Sequence, residues 1–150
     1  MQVKLLTPSQ WSAAKEKVTR FLYRYGDNRI TNAALVALRE LPHAQLAEGR
    51  SGEAPSAAIA VAISSSGKLM ACAFAEDGGE RACFVVVAPE FRGQGAGSAL
   101  LKALRRRLGS LTCSVASDNA PSMAMCFRAG MKAVSLHTGP TGKPTLRFEI

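Results

Sequence analysis

The sequence predicts an α/β fold of the mixed α+β kind: a central, mostly antiparallel sheet flanked by helices. Three observations predict it. Two stretches near the N-terminus repeat apolar residues at helical spacing. Short apolar runs between residues 56 and 88 are divided by tight-turn sequences. A buried strand, a glycine loop and an amphipathic helix then follow one another across residues 83–108. A chain of 150 residues is long enough to bury a core of its own, so one domain spanning 1–150 is expected.

The elements follow in order. Val3–Leu6 suits a short first strand, and Thr7 or Ser9 caps a helix that accommodates Pro8 in its first turn. Trp11, Ala14, Val18, Phe21, Leu22 and Tyr25 give that helix one apolar face, and Gly26-Asp27-Asn28 ends it. Thr31 or Asn32 starts a second helix carrying Ala34, Leu35, Leu38 and Leu41, which stops at Pro42. Residues 43–55 read as a loop with room for a helical turn. Strands at Ser56–Ile63, Lys68–Ala75 and Arg81–Ala88 are joined by Ser64-Ser65-Ser66-Gly67 and by Asp77-Gly78-Gly79, both hairpin signals. The helix Gly97–Leu108 turns Leu100, Leu101, Leu104 and Leu108 inward and stops at Gly109. Arg105, Arg106 and Arg107 complement its C-terminal dipole. A strand at Leu111–Ala116, a helix Pro121–Ala129 capped by Asp118 or Asn119, and a closing hairpin of Met131–His137 and Thr145–Ile150 complete the chain.

Charge and composition narrow the function. The formal net charge is +8, from 19 basic and 11 acidic residues, which attracts phosphates or acidic partners. The nine aromatic residues form no basic-aromatic stacking platform, which argues against nucleic acid as the ligand. No apolar run reaches the roughly 18 residues a membrane span needs, and no signal peptide is expected from Met1–Pro8. Cys72, Cys83, Cys113 and Cys126 form no Cys-x-x-Cys pair, so reduced thiols, no metal site and a cytoplasmic protein are expected.

The richest chemistry lies in Cys83–Leu101. Gly93, Gly95 and Gly97 leave backbone N–H groups uncovered where a helix begins, and its dipole is positive there. That arrangement suits a phosphate or pyrophosphate, with Arg92 adding a fixed positive charge. A P-loop is excluded, because Gly97 is followed by Ser98 and Ala99 and the lysine is missing. The dinucleotide fingerprint fails too. Its third glycine falls on Ser98 or Leu100, even though Asp118 stands near the ribose-binding distance.

The pattern that fits is Arg92-x-x-Gly95-x-Gly97 after Val87-Ala88-Pro89-Glu90-Phe91, which resembles the acyl-CoA loop of the GNAT superfamily of N-acetyltransferases. A second stretch, Asn119 to Met131, is similar to that superfamily's Asn-x-x-Ala/Ser-x-x-x-Tyr-x-x-x-Gly-Phe, with Asn119, Ser122 and Gly130 in register. Cys126 stands at the tyrosine position and Met131 at the phenylalanine. The predicted element order, β-α-α-β-β-β-α-β-α-β-β, is also that of this fold. The first 55 residues resemble it in element order only.

The resemblance implies acetyl-CoA as co-substrate, no metal, and direct transfer of an acetyl group to an amine acceptor, either a small molecule or a peptide or protein. Val85, Val86 and Val87 would offer backbone groups to the pantetheine arm. Arg92, Gly93, Gln94, Gly95, Ala96, Gly97 and Ser98 would cradle the pyrophosphate, and Asn119 would bond the arm while also serving as a helix cap. Cys126 would occupy the place of the proton donor to the departing thiolate, or would be a small residue packed beside the channel. The strand before the loop carries no carboxylate base. Glu76 and Glu80 read as solvated turn residues, and His43 and His137 are candidates by titration range alone. The alternative is a non-catalytic member of the same fold that binds acyl-CoA or a partner. The basic balance favours neutral or acidic acceptors over polyamines, and a homodimer is a form the superfamily admits.

Overall fold

The computed structural model describes residues 1–26 and 29–150. Its elements are β1 (Gln2–Leu5), α1 (Pro8–Tyr25), α2 (Asn32–Arg39), β2 (Ala57–Ile63), β3 (Leu69–Glu76), β4 (Ala82–Val87), α3 (Ala96–Leu108), β5 (Thr112–Ala116), α4 (Ala120–Arg128), β6 (Lys132–Thr138) and β7 (Pro144–Glu149). Short 3-10 turns fill His43–Leu46, Asp77–Gly79 and Pro89–Phe91. The predicted order of strands and helices holds throughout.

Local chemistry explains the helix boundaries. Thr7 Oγ1 accepts from the Gln10 N–H at 3.2 Å, and Gln10 Oε1 accepts from the Thr7 N–H at 3.0 Å, a reciprocal capping box. Thr31 caps α2 through Ala34 N–H, and Asn119 Oδ1 caps α4 through Ser122 N–H at 3.3 Å. The end of α1 begins at Gly26, whose N–H bonds Leu22 C=O. Asp27 and Asn28 lie outside the described residues.

The strands form two antiparallel ladders, β1-β2-β3-β4 and β5-β7-β6. The central sheet is therefore interrupted between β4 and β5, neighbours in space that share no ladder among the described residues. Two cores cover its faces. Trp11, Val18, Leu22, Leu38 and Leu46 from the α1/α2 side bury Ile59, Cys72, Phe74 and Val86. On the opposite face Leu100, Leu101, Leu104 and Cys126 pack on Ala60, Ala73, Cys113 and Phe148. Alternation along β4 sorts Ala82, Phe84 and Val86 to the first core and Cys83, Val85 and Val87 to the second, as period-two patterning requires.

One expectation is corrected here. Glu76 is not a solvated turn residue: it is the last residue of β3 and 7% exposed. Its strand position puts it on the face of Cys72 and Phe74, opposite Ala82, and Arg81 Nε lies 3.4 Å from its carboxylate. Glu80 does stand in the exposed turn. Among the described residues no helix is long and apolar enough to cross a membrane.

Candidate active site

The interruption between β4 and β5 is closed at one end. Gly79, just before β4, lies so near the start of β5 that a Cβ there would meet Thr112 O at 1.8 Å. Gly79 also has φ +96°, so only glycine fits this contact. Both strands thus start from one point, and the seam between them runs toward Val87 and Ala116.

Backbone alternation decides what faces that seam. The Ala88 N–H donates to Met70 C=O at 2.9 Å, and the register pairs Ala71 with Val87 and Cys72 with Val86. In an antiparallel ladder the bonded pairs alternate, so Phe84 and Val86 direct their N–H and C=O groups to β3, while Cys83, Val85 and Val87 turn theirs toward β5. On β5, the reciprocal Leu111–Ile150 bonds and the bond from Ser117 N–H to Pro144 C=O assign Cys113 and Val115 to β7. Thr112, Ser114 and Ala116 face the seam. Of the three valines expected to offer backbone groups to a ligand arm, Val85 and Val87 turn theirs toward the seam, and Val86 turns its own to β3.

The glycine loop stands at the far end of the seam. Gly93 (φ +78°) and Gly95 (φ +83°) adopt left-handed backbone, and no atom comes within 4 Å of a Cβ built on either. Among the described residues the space above them is open. Gly95 is the N-cap of α3, and among the described residues no side chain caps it and none accepts from the first-turn N–H groups of Ala96, Gly97 and Ser98. Ser98 Oγ turns back to Gly95 C=O at 3.2 Å, and Gln94 Nε2 reaches Glu90 C=O at 3.5 Å. Arg92 is exposed, and its Nε donates to the outward Val87 C=O at 3.3 Å, tying the loop to the strand. Gly97 has a second reason to lack a side chain: its Cβ would meet Met125 Sδ of α4 at 2.2 Å.

Asn119 is half-buried where the β5–α4 connection meets this end. Its Oδ1 is the cap of α4. Cys126 is 1% exposed and belongs to the core, with Sγ 3.6 Å from Cys113 Sγ. The neighbouring Cys113 thiol, and burial, hold the Cys126 thiol well above the ordinary cysteine range. Burial likewise pushes the Cys72 thiol up to about 12. All four cysteines are free thiols. His43 is half-buried in its 3-10 turn and His137 is exposed on β6, and neither belongs to the glycine loop.

Two features escaped the sequence reading. The burial of Glu76 depends on β3 extending one residue beyond Ala75, with no local signal beyond the following Asp-Gly-Gly. The second is a charge cluster of Arg29, Asp118 and Lys143, drawn from three connections far apart in sequence.

Comparison with known proteins bears on the fold and the family. No curated protein matches the chain in sequence. The fold is shared with a variant of the spermidine N-acetyltransferase SpeG from Vibrio cholerae, at 15% identity and TM-score 0.65, covering 100% of this chain and 94% of that one. It is shared also with aminoglycoside acetyltransferase AAC(6′)-Ib in complex with coenzyme A, at 18% identity and TM-score 0.59, covering 99% and 93%. The same enzyme with paromomycin and acetyl-CoA gives 18% identity and TM-score 0.61, covering 99% and 91%. Residues 30–131 match the family described as Acetyltransferase (GNAT) family, and the chain belongs to it.

Proposed function

We propose that this acyltransferase uses acetyl-CoA to acetylate an amine by direct transfer, and that residues 1–150 form a single acyl-CoA-binding domain. The observation that carries the reading is the unladdered seam between β4 and β5, with uncapped α3 amides and an open glycine loop at its end. The free thiols and the lack of a membrane-spanning helix among the described residues support a cytoplasmic setting.

In this mechanism the N–H groups from Gly93 to Ser98 hold the pyrophosphate, reinforced by the α3 dipole and Arg92. Val85 and Val87 pair with the pantetheine arm as a neighbouring strand would, filling the edge that β5 leaves open. Asn119 bonds the arm through its amide nitrogen while its oxygen keeps the α4 cap. An outward β4 N–H stabilises the oxyanion as the amine nitrogen bonds the acyl carbon. The carbon–sulfur bond then breaks, the amine proton leaves to solvent, and the thiolate takes a proton. Cys126 is a poor donor for that proton: it is buried against Cys113, and its thiol is held above the usual range. We assign it to packing and the proton to water.

Calorimetric titration with acetyl-CoA, CoA and NADH tests the site. Saturable binding of both CoA species and none of NADH is expected. Thiol release across an amine panel then tests the transfer. The buried Cys126 and the lack of a carboxylate on β4 favour one other reading, a binding module, which predicts CoA binding with no transfer to any amine.

A further inference from the structure

Three connections meet beside the seam. Lys143 Nζ, from the β6–β7 connection, donates to Asp118 Oδ2 at 2.7 Å. Arg29 Nη1, from the α1–α2 connection, lies 3.9 Å from Asp118 Oδ1. Asp118 itself follows β5 and immediately precedes Asn119. All three side chains are about half exposed. Two cations face one carboxylate, so the cluster is left with net positive charge. Lys143, and Arg29 after it, hold the Asp118 carboxyl below the usual carboxylate range, so at neutral pH it is ionised and does not cancel both.

Placement gives this charge a use. α3 and α4 cover one face of the sheet, and α1 and α2 cover the other. A ligand whose phosphates sit at the start of α3 and whose arm lies along the outer edge of β4 would occupy the seam between these two faces, and the α1–α2, β5–α4 and β6–β7 connections meet at the open end of that seam through Arg29, Asp118 and Lys143. An acceptor approaching from that end passes Arg29 and Lys143.

We propose that the acceptor is an amine that also carries a carboxylate, read by Arg29 and Lys143. This inference rests on the acetyltransferase reading. The chemistry suits it. A 3.9 Å contact is too long for a hydrogen bond, so the Arg29 fork keeps its geometry for bidentate contact with a carboxylate. Lys143 donates one of its three N–H groups to Asp118 and has two more to give. A polycationic amine meets the opposite field, from both the cluster and the net charge of +8. The acceptor class therefore differs from the spermidine and the aminoglycosides in the names of the proteins that share this fold.

The test uses the full chain and matched amines that differ in one group: γ-aminobutyrate, its amide and putrescine, with the corresponding longer triples and dipeptides. Acetylated product is measured by mass for the unaltered chain, Lys143→Gln, Lys143→Glu and Arg29→Glu. The carboxylates are expected to show kcat/KM about tenfold above their amides, with the diamines poorest, and the advantage is expected in KM. Charge reversal should abolish the preference while acetyl-CoA affinity stays unchanged. Diamines or amides acetylated as well as the carboxylates would overturn the inference and leave the transferase standing. So would charge-reversed variants that lose acetyl-CoA affinity but keep acceptor preference, because the cluster would then serve the co-substrate. Acetyl-CoA binding without transfer to any member would overturn this inference and catalysis together. No acetyl-CoA binding would remove the reading beneath both.

Discussion

Arg147 of β7 holds both carboxylate oxygens of Glu80, Nη1 to Oε2 at 3.1 Å and Nη2 to Oε1, and so joins the two ladders across the closed end of the seam. The same guanidinium donates through Nε to Glu149 at 2.9 Å. Glu80 belongs to the β3–β4 turn and Arg147 to the other ladder, so this fork works beside the Gly79–Thr112 contact. Arg147 holds the Glu80 carboxyl below its ordinary range.

Glu80→Gln should therefore lower Tm at neutral pH. A depressed carboxyl contributes stability that is present above its unfolded pKa, about 4.3, and lost as pH falls through the lower folded value. The Tm difference between the unaltered chain and the variant should be widest near neutrality, shrink below about pH 4 and narrow in high salt, since both groups are substantially exposed. A difference independent of pH would show that the ion pair contributes nothing. Thermal scans across pH decide this.

The two kinds of glycine should separate cleanly. Gly79→Ala drives a Cβ into Thr112 O and adds strain at φ +96°, so a loss of at least ~3 kcal/mol is expected, with failure to accumulate folded protein. Gly95→Ala meets no neighbouring atom and costs only the left-handed strain of about 1–2 kcal/mol. It should fold, yet bind CoA more weakly, because its methyl group projects into the space proposed for the pyrophosphate. Chemical denaturation and calorimetry on the two variants check the contrast.

Asn119 performs one duty that is visible and one that is proposed. Asn119→Asp keeps an oxygen for the Ser122 N–H and should leave stability nearly unchanged, but it removes the amide donor and places negative charge beside the arm. Asn119→Ala loses the cap as well and should cost about 1 kcal/mol. Loss of CoA affinity in both variants, with stability lost only in the second, is the expected pattern.

Cys126→Ala should reduce stability by roughly 1–2 kcal/mol through the space left beside Cys113. It should leave the alkaline limb of the kcat profile where it was. A shifted limb would mean the thiol does deliver the proton. In the folded protein, Cys126 should react with thiol reagents far more slowly than after unfolding, because burial and the raised pKa both suppress the thiolate.

The elements legible in the sequence were those with local chemistry behind them. The cap positions, read as Thr7 or Ser9, Thr31 or Asn32 and Asp118 or Asn119, the Ser-Ser-Ser-Gly and Asp-Gly-Gly turns and the leucine face of α3 all carry their instructions within a few residues, and the structure selects Thr7, Thr31 and Asn119. The glycine loop was legible too, since left-handed backbone at Gly93 and Gly95 needs those residues. What escaped depended on neighbours distant in the chain. Glu76 becomes buried only because β3 runs on opposite Ala82. Val86 differs from Val85 and Val87 through ladder phase, which requires the β3 register. Arg29, Asp118 and Lys143 meet only when three connections converge.

Under the proposed reading, the break between β4 and β5 makes acetyl-CoA a structural part as well as a reactant. The rungs missing from the sheet are those an extended amide-bearing arm supplies, so the proposed complex finishes a hydrogen-bond network that the free chain leaves incomplete. Occupancy and folding are then thermodynamically linked: the transition temperature rises with acetyl-CoA concentration, and amides along the outer edge of β4 exchange more slowly once the arm is in place.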